Sequence, residues 1–154
     1  MSARFRLVRV GRARETWSDP PVEDWTRRLR RWGGFAEEDV KPETFRGSEE
    51  AVRDAEAARI LARVGPRDRL VVLDERGERL DTTAFAQLVD AGRQAGGLVF
   101  AIGGPYGHGP ALREAAHRVV RLSDLVLNHE IARVVLVEQL YRALTVLEGV
   151  PYHH

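Results

Sequence analysis

Between Phe100 and Pro110 the chain reads FAIGGPYGHGP, four glycines and two prolines directly after an apolar run. A glycine turn between a strand and a helix N-terminus brings backbone N–H groups to a ligand, and anions are held in this way. The spacing is neither G-x-G-x-x-G nor a loop followed by Lys-Ser/Thr. The residues by themselves therefore leave three readings open: a bend, a loop that touches a ligand through its main chain, and a phosphate site. The histidines are His108, His117, His129, His153 and His154, with no H-x-x-x-H or H-E-x-x-H spacing, so no metal site is expected. His129 opens the last helix after a loop, where an imidazole can meet a substrate or cap the helix. No Ser-His-Asp set or close carboxylate pair stands out, and Glu75 and Glu78 flank an expected turn. Trp17, Trp25 and Trp32 have rings that can stack on bases. Trp25 and Trp32 share one helical face and read as core.

These groups need a scaffold, and its elements are legible. RFRLVRV (4–10) alternates Arg with apolar residues, the period of a half-buried strand. SDPPVEDWTRRLRRWGG predicts a helix with Pro21 in its first turn and Gly33-Gly34 as its stop. Residues 35–47 are polar, interrupted by Pro42 and Gly47, and read as a connection. Ser48 caps a helix running to about Val64. RLVVLD (69–74) is a short strand, ERGE a turn, and Asp81 or Thr82 caps a helix from Thr83 to about Ala95. LVFAI (98–102) is a continuous apolar run, as a strand buried on both faces requires. Pro110 starts a short helix, VVRL is apolar, SDLVLNH is a loop, and Glu130 to about Leu147 is the longest helix. The order predicts one α/β domain over residues 1–154 with a mostly parallel sheet flanked by helices. Ligands of such sheets lie beyond the C-terminal strand ends, where the glycine loop falls. The last helix carries Ile131, Val134, Val135, Leu140, Tyr141, Leu144 and Leu147 on a stripe that Leu136, Val137 and Val146 widen. So broad an apolar surface needs contacts on more than one side, which points to a homodimer.

Composition narrows the function. The chain has 154 residues, 44% hydrophobic and 31% charged, and no run long enough for a membrane span. The basic N-terminus lacks the apolar segment of a signal peptide. With no cysteine there are no disulfides or thiolate sites, and a cytoplasmic address fits. A net charge of +1 conceals an uneven distribution, because nine arginines stand against four acidic residues in positions 1–34. Such a block can serve phosphate backbones through planar bidentate forks, or can be a solvated face.

Three stretches then resemble one family. VLDERGERLDTTAFA (72–86) looks like its segment with a leucine-acidic pair before a glycine turn. FAIGGPYG (100–107) is similar to its I-G-G-x-x-G loop. LSDLVLNHEIARVVLVEQLYRALTVLEGVPYHH (122–154) resembles its C-terminal half, with L-S-x-[L/M]-x-x-x-H, then R-V-x-L-x-E-Q-x-Y-R-A and a final Y-H. The family is the SPOUT-class ribosomal RNA large-subunit methyltransferase H. The resemblance implies an α/β-knot fold, its C-terminal part tied as a trefoil, acting as a homodimer. It implies methylation of N3 of a pseudouridine in large-subunit (23S) ribosomal RNA on the assembled ribosome, with S-adenosylmethionine as donor and no metal. Leu73, Gly103 and the loop Leu122, Ser123, Asp124, Leu125, Val126 and Leu127 would hold that donor. His129, Arg133, Tyr152 and His153 match the H-x-x-x-R and Y-H positions and are the candidate catalytic residues. Arg9, Arg12 and Arg14 are candidate RNA contacts. The chain departs from the family at Asn128, where proline is usual, at His108, where leucine is common, and at its Tyr-His-His end. A SPOUT enzyme acting on tRNA and a non-catalytic dimeric ligand-binding protein are the competing readings.

Overall fold

The computed structural model describes residues 3–11 and 16–154. Five strands, β1 (Phe5–Val10), β2 (Phe35–Val40), β3 (Asp68–Arg79), β4 (Gly97–Ile102) and β5 (Arg118–Arg121), form one sheet in the order β2-β1-β4-β3-β5. Every neighbouring pair is parallel. Five helices connect and cover them: α1 (Asp19–Leu29), α2 (Glu49–Leu61), α3 (Thr82–Gln94), α4 (Pro110–Ala115) and α5 (His129–Glu148).

Alternation along the strands divides the interior into two cores. Leu98, Phe100 and Ile102 of β4 join Phe5, Leu7 and Val71 on one face, under α1, α3 and α5. Val99 and Ala101 join Val8, Leu70 and Val72 on the other, under α2 and α4. All six residues of β4 are buried, so the continuous apolar run marked the centre of the sheet. Two helix starts match their expected caps, with Ser48 accepting from the Ala51 N–H at 3.1 Å and Asp81 from Ala84 at 2.8 Å. Asn128 accepts from the Glu130 N–H at 2.8 Å and so caps α5. Among the described residues no helix is long and apolar enough to cross a membrane.

Two expectations are corrected. Residues 35–40 are not a connection but β2, an edge strand paired with β1 from Phe5↔Phe35 to Val10↔Val40. Its sequence, FAEEDV, is apolar only at the ends, and Glu37, Glu38 and Asp39 find arginine partners on neighbouring elements. The ERGE segment does not end a strand; it is an excursion inside β3. Leu73 and Glu78 both register against Val120, so residues 74–77 bulge out of the ladder between them. Gly77 closes the excursion against β5, where a Cβ would stand 2.6 Å from the Val120 carbonyl carbon. The bulge turns Asp74, Glu75 and Arg76 toward the end of the sheet.

Candidate active-site cleft

A cleft of about 460 Å³ opens beyond the C-terminal ends of β4, β3 and β5, a volume within the range of small-molecule sites. Its walls are the β3 bulge, the glycine loop, the segment after β5 and the first turn of α5. Of the residues expected to hold a cofactor, Leu73, Gly103, Leu122, Ser123, Leu125, Val126 and Leu127 line it. Asp124 does not. Its carboxylate is engaged by Arg79 and, at 3.5 Å, by Arg121. His129 lines the mouth from the start of α5.

Four lining residues, Asp74, Arg76, Tyr106 and His108, were not among the expected site residues. Asp74 pairs bidentately with Arg76, whose Nε and terminal nitrogen both donate at 3.1 Å. Burial opposes its ionisation, but the Arg76 side-chain and backbone hydrogen bonds hold its carboxyl below the usual range. Tyr106 stands at the tip of the glycine turn. His108 lies beneath it, 7% exposed, and burial is the main reason its pKa falls below the usual imidazole value despite the nearby Asp74 carboxylate. A Cβ on Gly103 would come within 2.9 Å of the His108 ring, so a glycine is required for the loop to lie this close to the strand end. The turn itself is closed by Gly107 N–H donating to the Gly104 carbonyl at 2.9 Å.

Arg133 and Arg9 face inward, away from the cleft. Arg133 is 4% exposed and forks onto Glu37 with two bonds of 2.6 Å, while a terminal nitrogen meets Ser18 and Asp19 at 2.8 Å. Burial works against its charge, yet the Glu37 and Asp19 hydrogen bonds outweigh it and raise the guanidinium's pKa. Arg9 lies alongside, 3.2 Å from Asp39 and 3.6 Å from Glu130. Its guanidinium is consumed by intramolecular pairs, which is the physical reason it does not reach outward as expected of an RNA contact. Arg12 and Arg14 lie outside the described residues.

Tyr152 and His153 sit elsewhere in the chain. The Tyr152 ring packs edge-on against Tyr141 and Trp25 with centroids 5.0 and 5.9 Å away, and its hydroxyl donates to Glu138 at 2.7 Å. His153 Nδ1 is 2.9 Å from Arg142. Glu138 lies nine residues beyond His129, about 13 Å along the helix at the usual rise. One chain therefore does not bring the H-x-x-x-R and Y-H pairs together.

Burial first, and then the bond to Glu138, push the Tyr152 hydroxyl up to about 12. It is thus a hydrogen-bond donor at neutral pH, not a base. Because the folded value lies above the ordinary 10, the contribution is fully present below pH 10 and is lost as pH rises toward 12. Ultraviolet titration of the folded protein is expected to show one phenol ionising near 12 that disappears in Tyr152→Phe. If the ionisation lost in the variant lies near the ordinary 10 instead, the Glu138 bond does not form in solution.

A family model described as "Predicted SPOUT methyltransferase" matches residues 3–153. The chain is 40% identical over 151 residues to the ribosomal RNA large subunit methyltransferase H of an Anaeromyxobacter species, covering 97% of this chain and 99% of that one. It is 38% identical over 153 residues to the protein of the same name from Trichlorobacter lovleyi, covering 98% and 99%. The corresponding protein of Geotalea uraniireducens is 35% identical over 153 residues, with the same coverage.

Proposed function

The chain belongs to the SPOUT methyltransferase family, and from that membership we propose that it methylates N3 of a pseudouridine in large-subunit ribosomal RNA of the assembled ribosome, with S-adenosylmethionine as donor. One observation carries the reading. The segments matching the family's I-G-G-x-x-G and L-S-x-[L/M]-x-x-x-H motifs, far apart in sequence, form facing walls of one cleft at the strand ends. The residues there fit the donor. Gly103 brings main chain close, and Leu73, Ile102 and Leu122 give an apolar slot. Bound in this cleft, S-adenosylmethionine supplies a methyl group on a positively charged sulfur. No metal is part of this reading. Among the described residues no His/Asp/Glu cluster is arranged to hold one.

The chain's own contribution is alignment, because displacement at a methyl carbon is in line. The walls fix one partner, and the mouth, where His129 stands, admits the other. An imide N3 is protonated at neutral pH, and the His129 imidazole is placed to take that proton as N3 becomes nucleophilic. Arg133, buried one turn further on, is a positioning residue for the start of α5.

The functional unit is a homodimer of single SPOUT domains, each knotted in its C-terminal part. Leu125 and Val126 are 77% and 75% exposed, and Ile131 and Val146 of α5 are 42% and 40% exposed. Joining two copies through antiparallel α5 helices would cover that surface and bring the Tyr152–His153 end of one helix to the His129 end of the other. Arg12 and Arg14 remain the proposed phosphate contacts, and the cytoplasm, where ribosomes are, is the implied compartment. Mass mapping of ribosomal RNA from a deletion strain, paired with calorimetry of S-adenosylmethionine on the purified protein, tests the proposal. Loss of one methyl on a large-subunit pseudouridine together with saturable binding is expected. Failure to bind the donor would remove the methyltransferase reading, and an undermethylated tRNA would move its substrate.

A further inference from the structure

Two aromatic rings stand exposed side by side at the rim of the cleft. Phe45 is 50% and Tyr106 37% exposed, with ring centroids 5.7 Å apart and planes inclined by 31°. Adjacent exposed rings are unusual on a free surface, since their area is worth burying.

Their placement follows from the chain. Tyr106 follows Pro105 in the Gly104–Gly107 turn, where proline suits the first corner and Gly107, at φ 73°, takes the left-handed position after it. The turn tip therefore presents the ring outward, on the cleft wall. Phe45 is carried by residues 41–47, which α2 holds down. Arg59 donates to the Lys41 carbonyl at 2.8 Å and to Glu43 at 2.9 Å. Glu56, 3% exposed, accepts from the Glu43 N–H at 3.1 Å. The other Glu56 oxygen has no hydrogen-bond partner among the described residues and lies under the glycine turn, where a Cβ on Gly104 would come within 2.9 Å of it. One buried carboxylate thus sits between the two segments that present the rings.

We propose that Phe45 and Tyr106 form a stacking platform for an unpaired nucleobase of the RNA substrate, beside the base that enters the cleft. The inference rests on the methyltransferase reading. It adds a binding site on a segment, 41–47, that the family motifs do not reach. The patch is continuous with the cleft through Tyr106, so whatever covers it lies next to the reacting base. A base that must leave its stack to reach an enzyme unstacks its neighbours, and aromatic side chains take their place. Every base offers a π-face, and exposed Lys41 and Arg46 on the same segment can meet the flanking phosphates.

The test measures steady-state methylation of ribosomal subunits and binding of a short fluorescent single-stranded RNA by anisotropy. Phe45→Ala is expected to raise KM for the subunits about tenfold or more and to weaken RNA binding similarly, with kcat and donor affinity unchanged. Phe45→Trp should behave as wild type, and Phe45→Leu should stay defective, because leucine is apolar without a π-face. Equal recovery by leucine and tryptophan would overturn the platform in favour of plain apolar packing. An unchanged KM and RNA affinity in Phe45→Ala would overturn it outright. A shift in sedimentation of that variant with RNA affinity intact would assign the patch to a second copy of the chain. Absence of donor binding by the wild type would sink the methyltransferase reading instead, while the anisotropy arm still reports on the platform.

Discussion

Arg133→Ala is expected to lose about 3–5 kcal/mol of folding stability, the cost of removing one partner from a buried ion pair. The guanidinium is the hub of a cluster that joins three elements. It forks onto Glu37 of β2 at 2.6 Å and reaches Asp19 of α1 at 2.8 Å and Glu130 of its own helix at 3.5 Å. With only 4% of the side chain exposed, solvent replaces little of what is lost, and the cation still near Glu37 and Glu130 is Arg9, at 3.7 and 3.6 Å. The deficit has a pH signature. In the folded wild type Glu130 is held below its ordinary value, against burial, by hydrogen bonds from Ser18 and Thr16 and by Arg133 and Arg9. Its contribution is present above the ordinary carboxylate value of 4.5 and is lost as pH falls through the lowered one. Without Arg133 the Glu130 carboxyl protonates more readily, so the variant's deficit is largest at neutral pH and shrinks in acid. Urea unfolding of both proteins at neutral and acid pH checks this. A loss under about 1 kcal/mol would class the cluster with solvent-exposed pairs. Arg133→Lys should fall between, since an ammonium cannot make the two-pronged bond to Glu37.

The same cluster shows where sequence reading ran out. β4, the caps at Ser48 and Asp81 and the long last helix were legible, because their signals are local: an apolar run, a capping side chain, a periodic stripe. β2 was not, because its residues face arginines that come from β1, from Arg63 just beyond α2, and from α5. A strand stabilised by cross-element charge carries no alternating apolar pattern, and its charges also blunt an exposed sheet edge. For the same reason the basic N-terminal block looked available to phosphate, whereas Arg6 lies between Glu38 and Asp68 at 2.6 and 2.7 Å and Arg9 is buried. The cleft was read through two motifs that keep their spacing. Asp74 and Arg76 escaped because a register shift inside one strand, not a turn, brings them there. Tyr106 and His108 lie within the quoted glycine loop, yet nothing local says which ring turns outward and which inward.

His129→Ala is expected to lower methylation turnover by about 10²–10⁴-fold, the usual contribution of a general base or acid, while leaving donor affinity close to wild type. The side chain stands at the first position of α5, exposed at the mouth of the cleft, and Asn128 rather than the imidazole caps the helix. Its removal therefore leaves the helix start intact, so calorimetry with S-adenosylmethionine and the melting temperature should barely move. Loss of donor binding would show instead that the imidazole contacts the donor. Unchanged turnover would take His129 out of the chemistry and turn attention to the far end of α5. Tyr152 offers the complementary comparison. With its one proton donated to Glu138 and its pKa pushed up to about 12, the hydroxyl cannot take the N3 proton at neutral pH. If His129 is the base, raising the pH restores part of the His129→Ala loss, because more N3 ionises on its own. Tyr152→Phe, lacking only a donor, shows no such recovery. Two pH–rate profiles with parallel slopes would mean that neither residue carries the proton.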